Sequence, residues 1–222
     1  MSPTAADALA RLWAARGFDI DETTPRDLDR VALFGRHAPL VIEIGCGMGE
    51  AMLAMAAADP ERDYLGVDVH TPGLGAMLAR AERDGIRNVA VARGDAVELL
   101  RHGLRPGSLD AIHVFFPDPW PKARHHKRRI VRPEIVALMR DRLRPGGVLH
   151  TATDWVHYAE QMLDVLAADP GLRNTSDGYA PRPDGRPFTK FERRGIAAGR
   201  SIFDLIFARA IDPGPAQPVT PA

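Results

Sequence analysis

The sequence predicts an α/β fold, a mostly parallel sheet with helices on both faces. Three observations predict it. From residue 39 onward, short apolar runs alternate with helically striped segments, the pattern of consecutive βα units. The first run, residues 40–44, is apolar except for Glu43, as expected of a strand buried on both faces. A glycine-rich segment, Gly45-Cys46-Gly47-Met48-Gly49, sits where that strand turns into the first helix of the alternating region. In open parallel sheets this is the ligand end.

Residues 1–37 are mixed in character, with Ala8, Leu9, Leu12 and Trp13 spaced for a short helix. Strand 40–44 leads into an Ala/Met/Leu-rich helix over 49–59, and residues 63–69 form the next strand. Thr71 and Pro72 suit an N-cap and first helical turn; Leu74, Met77, Leu78 and Ala81 then share one face. A strand over 88–92, a helix near 96–101 and a strand over 109–116 follow. Pro133 opens a helix with Val136, Met139 and Leu143 inward, stopped by Pro145-Gly146-Gly147. After a strand over 148–153, Trp155, Tyr158, Met162, Val165 and Leu166 stripe another helix. Residues 172–210 hold two more strands, 201–208 the stronger, separated by a polar loop over 182–200. Pro213, Pro215, Pro218 and Pro221 mark an end that cannot pack and is expected to be disordered. The domains expected are thus an extension over 1–37, one α/β domain over 38–210 and a tail over 211–222.

With 222 residues, 45% hydrophobic and 26% charged, the chain can bury a core without staples. Lys plus Arg and Asp plus Glu both number 29, so binding to a polyanion requires local concentration of positive charge. Residues 122–132 provide it: six Lys or Arg residues occur, and no acid lies between Asp118 and Glu134. Cys46 is the only cysteine, which excludes an intrachain disulfide and predicts a reducing, cytoplasmic setting. No apolar run reaches membrane-spanning length.

The spacing of Gly45, Gly47 and Gly49 is G-x-G-x-G, without the gap of the dinucleotide fingerprint. Glu43, two residues before the first glycine, would repel a pyrophosphate and suits a ligand with an ammonium or sulfonium group. Asp68 ends the next strand 21 residues beyond Gly47, the usual place for an acid that grips ribose hydroxyls. Asp95, after the third strand, could accept a bond from an adenine amino group; with Glu98 it equally fits a helix capping box. Acids at three successive strand ends face one crevice. Together they read as a site for S-adenosylmethionine, a nucleoside with a positive sulfur and no phosphate.

The fourth strand ends in Phe116-Pro117-Asp118-Pro119-Trp120. Asp118 can accept hydrogen bonds from a nucleobase, and Trp120 offers either a stacking face or a core aromatic. Lys122, Arg124, Lys127, Arg128 and Arg129 follow, interleaved with His125 and His126; such cations suit phosphates. The adjacent histidines cannot share one helical face as a zinc pair, and no metal is expected.

These motifs, 43–50, 66–70, 115–129, Thr153-Asp154-Trp155 and Thr189-Lys190-Phe191-Glu192, resemble those of the bacterial tRNA (guanine-N7-)-methyltransferases over about residues 40–208. The resemblance implies the class I S-adenosylmethionine-dependent methyltransferase fold with seven strands. It implies methylation of guanosine N7 in the tRNA variable loop, at tRNA position 46, with S-adenosylhomocysteine as product and no obligatory protein partner. Glu43, Gly45, Gly47, Gly49, Asp68, Asp95 and Asp118 would bind cofactor, with Asp118 also catalytic. Lys122, Asp154, Thr189, Lys190, Phe191 and Glu192 would contact substrate; Arg124, His125, His126, Lys127, Arg128 and Arg129 would contact RNA. Family members often carry Glu at the position of Asp68. Asp154 also fits an N-cap for the following helix.

Two other classes fit parts of the pattern. An amino-group methyltransferase would use an Asp-Pro-Pro-aromatic turn, whereas a single proline separates Asp118 from Trp120 here. A non-catalytic RNA-binding protein would bind tRNA without cofactor. An NAD-dependent oxidoreductase is disfavoured by Glu43 and the glycine spacing.

Overall fold

The computed structural model describes residues 1–24 and 26–211. Its strands are β1 (Gly17–Asp19), β2 (Leu40–Ile44), β3 (Asp63–Asp68), β4 (Val89–Arg93), β5 (Leu109–Phe115), β6 (Leu143–Thr153), β7 (Leu172–Asn174) and β8 (Phe203–Arg209). They form one sheet in the order β1-β4-β3-β2-β5-β6-β8-β7, in which only β8 runs against the rest. The helices are α1 (Pro3–Arg16), α2 (Arg30–Phe34), α3 (Glu50–Ala58), α4 (Thr71–Arg83), the short α5 (Ala96–Glu98), α6 (Pro133–Arg142), α7 (Val156–Ala168) and α8 (Lys190–Ala197).

Both faces of the sheet are covered because strand residues alternate between two cores. Val41 and Tyr64 pack with Met52, Leu53, Leu74 and Met77 of α3 and α4 on one face. Leu40, Ile42, Ile44 and Leu65 pack with α6 and α7 residues, including Met139 and Met162, on the other. Successive side chains of a strand point to opposite faces, so central strands buried twice read as unbroken apolar runs.

The sheet has eight strands rather than the expected seven. The additional strand is β1, which pairs in parallel with β4 through Gly17, Phe18 and Asp19; three residues are too few to show a period. Helix α1 forms over the expected apolar positions and lies against α4, where a Cβ on Gly75 would meet the Ala5 carbonyl at 2.5 Å. Residues 1–19 are therefore built onto the sheet rather than appended to it. The polar loop expected over 182–200 contains α8, announced by Thr189-x-x-Glu192, a helix-start signature. The helix expected near 96–101 is one α-turn followed by a π-turn over Leu99–Gly103. The N-cap of α4 is His70, one residue before Thr71. The proline-rich end expected to be disordered lies, from residue 212, outside the described residues.

The order of strand addition reverses between β2 and β5, which run parallel: β3 and β4 extend to one side of β2, β5 and β6 to the other. At such a switch point the loops leaving neighbouring strands diverge and open a crevice. Here those loops are the glycine segment after β2 and the Pro117–Trp120 turn after β5.

Candidate active site

The crevice is a cavity of 670 Å³ lined by Glu43, Gly45, Cys46, Gly47, Asp68, His70, Phe115, Phe116, Asp118, Trp120, Arg128, Thr189, Lys190 and Phe191, among others. Its size suits a small-molecule site. On the β2 side, Gly45, Gly47 and Gly49 all have left-handed φ, at 75°, 56° and 69°, a region that favours glycine. A Cβ on Gly45 or Gly47 would meet nothing within 4 Å, so the loop leaves open space on its ligand side. Gly49 differs: its Cβ would strike Met77 Sδ at 2.5 Å, so it serves packing against α4 and does not line the cavity.

Asp68 does more than sequence reasoning assigned it. Its Oδ2 accepts the Gly47 N–H (2.7 Å) and its Oδ1 accepts the His70 N–H (2.8 Å). The carboxylate thus ties the glycine loop to the end of β3. Each oxygen retains a second lone pair for a ribose hydroxyl.

Glu43 is 5% exposed, and its Oε2 has no hydrogen-bond partner among the described residues. Burial, and secondarily the charge of Asp68, pushes its carboxyl up to about 8. An orphaned acid at the floor of a cavity is costly unless a cation arrives. A ligand carrying an ammonium group would supply one, and the glycine loop leaves open space beside it. The same surroundings push the Cys46 thiol well up, chiefly by burial, so it stays an unreactive loop residue.

Asp95 is exposed, caps α5 by accepting the Val97 N–H at 2.8 Å, and is not among the cavity-lining residues. Between the two roles open in the sequence, the structure shows the cap; Glu98 pairs with Arg101 instead of closing a capping box.

On the β5 side the turn is strained. Phe116 (φ 50°) and Trp120 (φ 43°) are the only non-glycine residues with positive φ among those described. Bulky residues avoid this region, and such strain is held where surrounding structure imposes it. The two bracket Pro117-Asp118-Pro119, so the exposed Asp118 stands on a turn with little freedom to move. Trp120 is half-buried and lines the cavity; the Arg128 guanidinium lies 4.8 Å from its ring centre.

The basic run folds as a 3-10 turn over Ala123–Arg128 that leaves Lys122, Arg124, His126, Lys127 and Arg128 exposed, with His125 edge-on to Trp120. Arg129, expected among the RNA-facing cations, is 2% exposed and points inward. It donates to the Pro119 carbonyl (2.8 Å) and Gln161 Oε1 (2.6 Å) and lies over the Tyr158 ring. Its guanidinium props up the turn from behind.

The substrate-side residues divide. Thr189, Lys190 and Phe191 form a cavity wall, with Phe191 59% exposed. Glu192 is 1% exposed and engaged by Arg186 and Arg182. Lys122 and Asp154 do not line the cavity. Asp154 does not cap α7, whose N-cap is Trp155 without a side-chain bond; it pairs with Arg200 instead, at 2.8 Å. Sequence reasoning missed Glu50, whose Oε2 accepts the Lys190 N–H (2.7 Å) and which pairs with Arg193, joining α3 to α8 across the cavity mouth. An acid in the first turn of α3 was the available signal. No group of three or more candidate metal ligands occurs among the described residues.

A family model described as "Putative methyltransferase" matches residues 37–205. A tRNA (guanine-N(7)-)-methyltransferase of Streptomyces avermitilis is 55% identical over 206 residues, covering 92% of this chain and 70% of that protein. One from Paraburkholderia xenovorans is 54% identical over 185 residues, 83% and 71% of the two chains. Among solved structures, the 16S rRNA methyltransferase KamB matches with a TM-score of 0.60 at 17% identity, over 80% of this chain and 91% of that one. The antibiotic-resistance methyltransferase Kmr matches at 0.51 and 19%, over 95% of each. At these identities the solved structures speak to the fold alone, that of the class I S-adenosylmethionine-dependent methyltransferases. With that family match and relatives this similar over most of both chains, this chain belongs to the tRNA (guanine-N(7)-)-methyltransferase family.

Proposed function

We propose that the chain transfers a methyl group to N7 of guanine in tRNA, at position 46 of the variable loop. One observation carries the reading: a single cavity has the orphaned Glu43 at its floor, Asp118 on its wall and a basic, aromatic rim beside it. Bound there, S-adenosylmethionine supplies an activated methyl group. Glu43 would hold its ammonium, and Asp68 its ribose hydroxyls. Guanine N7 carries an in-plane lone pair and no proton, so no residue has to act as a base. Asp118 orients the guanine and opposes the positive charge that develops on its imidazole ring. Its rigid turn fixes the approach, and alignment of reacting atoms is itself a large rate factor.

Exposed cations at the rim would hold tRNA phosphates around a looped-out base, since A-form helices hide their base edges. Lys127→Ala with Arg128→Ala should lower tRNA affinity and reduce the slope of log affinity against log salt by about 1–2. Arg129→Ala should leave that slope unchanged and lower the melting temperature. An unaltered slope in the double variant would remove these two cations from the RNA surface.

A tRNA substrate, and a lone cysteine that is buried, fit a cytoplasmic enzyme; the reading calls for no protein partner. The test is incubation of purified protein with labelled S-adenosylmethionine and unmodified tRNA, followed by nucleoside analysis. N7-methylguanosine at position 46 is expected. Label in methylated amino groups, or none, would sink the proposal.

A further inference from the structure

Behind the cavity lies a buried ionic cluster that the mechanism above does not use. Arg186, in the segment between Ala180 and α8, is 1% exposed at its side chain. Its Nη1 donates to Glu192 Oε2 (2.7 Å) and its Nη2 to Glu192 Oε1 (3.0 Å), a bidentate fork. The same Nη2 donates to Asp204 Oδ2 of β8 (2.9 Å). Asp204 Oδ1 takes a bond from His150 Nε2 of β6 (2.7 Å), and Arg182 Nε reaches Glu192 Oε1 from the outer side (3.0 Å). Two guanidiniums thus face two carboxylates, and the cluster binds β6, β8, the segment before α8 and α8 itself.

Stability alone does not call for this cluster, because well-packed apolar groups hold a core as well as a buried ion pair does or better. What a guanidinium fork adds is direction. Glu192 stands one turn after Thr189, whose Oγ1 caps the helix by accepting the Glu192 N–H at 3.1 Å. Fixing Glu192 therefore fixes the turn that presents Thr189, Lys190 and Phe191 to the cavity. The Arg186 guanidinium also lies 5.9 Å and 5.8 Å from the ring centres of Phe115 and Phe116, the residues from which the Asp118 turn departs. One buried cation thus bonds the helix behind one lining segment and lies near the rings that begin another.

We propose that Arg186 is a positioning residue for methyl transfer: through Glu192 and Asp204 it sets the wall of Thr189, Lys190 and Phe191 against Asp118. The inference rests on the tRNA methylation proposed above. Lysine can satisfy one of the two carboxylates but cannot fork across both. Arg186→Lys is therefore expected to lower kcat about 100-fold, the scale of a misplacement of about 1 Å. KM for tRNA and the Kd of S-adenosylhomocysteine should stay within about threefold, because the basic rim and glycine cradle are untouched.

If Arg186→Lys does not fold, Arg182→Met decides. Arg182 is partly exposed, and removing its bond to Glu192 should lower kcat about fivefold with the same unchanged KM and Kd. Asp110→Asn serves as the stability control. Asp110 is a buried acid paired with Arg62 and Arg144 where β5 begins, at the opposite end of the sheet, and its loss should lower the melting temperature with kcat retained. Wild-type kcat in a folded Arg186→Lys or in Arg182→Met overturns the inference, as does an equal loss of kcat in Asp110→Asn. A wild-type protein that leaves tRNA unmethylated would instead overturn the proposed function.

Discussion

Glu43→Gln is expected to weaken S-adenosylhomocysteine binding about 100-fold or more and, at pH 9, to raise the melting temperature of the ligand-free protein. Both effects come from one buried carboxyl. Truncating one partner of a buried charge pair costs about 2–5 kcal/mol, and glutamine cannot answer an ammonium with charge. Without ligand, the acid is a liability. Its folded value of about 8 lies above the ordinary 4.5 because burial opposes ionisation. The raised value means that Glu43's contribution to stability is intact below its unfolded value and is lost as pH climbs through 4.5 to about 8. Above that pH the full cost is present, on the order of a few kcal/mol, and a neutral amide relieves it. A gain of about 5–10 °C at pH 9 is expected for a chain of this size, shrinking towards zero at pH 5. Wild-type affinity should also rise with pH between 6 and 8, since the acid must shed its proton to meet the ligand. Calorimetry from pH 6 to 9 checks both parts; binding that ignores pH, or a variant that binds as wild type does, would refute the assignment.

Asp118→Asn is expected to lower the single-turnover methylation rate about 100- to 1000-fold at saturating cofactor and tRNA, the scale of removing an electrostatic partner of the transition state. Asparagine keeps the shape and one acceptor oxygen. It loses the charge and exchanges the other acceptor for an amide donor, so it tests chiefly the stabilisation of the developing cation. Asp118→Ala should be slower still, having lost both. S-adenosylhomocysteine affinity should fall far less than the rate in either, because the Glu43 and Asp68 contacts persist. An Asn variant at the wild-type rate would leave Asp118 with orientation alone.

The βα part of the fold was legible because residues 40–166 repeat the same solution: apolar run, glycine or proline punctuation, apolar stripe. β1 was not, since a three-residue edge strand is defined by the partner it finds rather than by its own pattern. In the site, the glycines and Glu43 were legible because an acid before a glycine loop is chemically odd. Residues whose role comes from a distant neighbour were less so. Arg129 carries the same local signal as Arg128, yet Gln161 and Tyr158, some thirty positions away, turn it inward. Glu192, expected to contact substrate from a polar loop, is instead enclosed by Arg186 and Arg182. Asp95 and Asp154 had both a local and a ligand reading, and residues at short range took Asp95 for a cap while Arg200 took Asp154.

The placement of β8 has a consequence in time. Among the described residues this strand comes last, yet it lies inside the sheet, hydrogen-bonded to β6 on one edge and β7 on the other. During synthesis the glycine turn and its acid emerge long before it: Asp204 follows Gly49 by 155 residues. Asp204, the counter-ion that Arg186 finds on β8, is therefore among the last side chains of the sheet to be synthesised. The wall proposed to depend on Arg186 is thus completed only after the glycine turn, its acid and the Asp118 turn have all been synthesised.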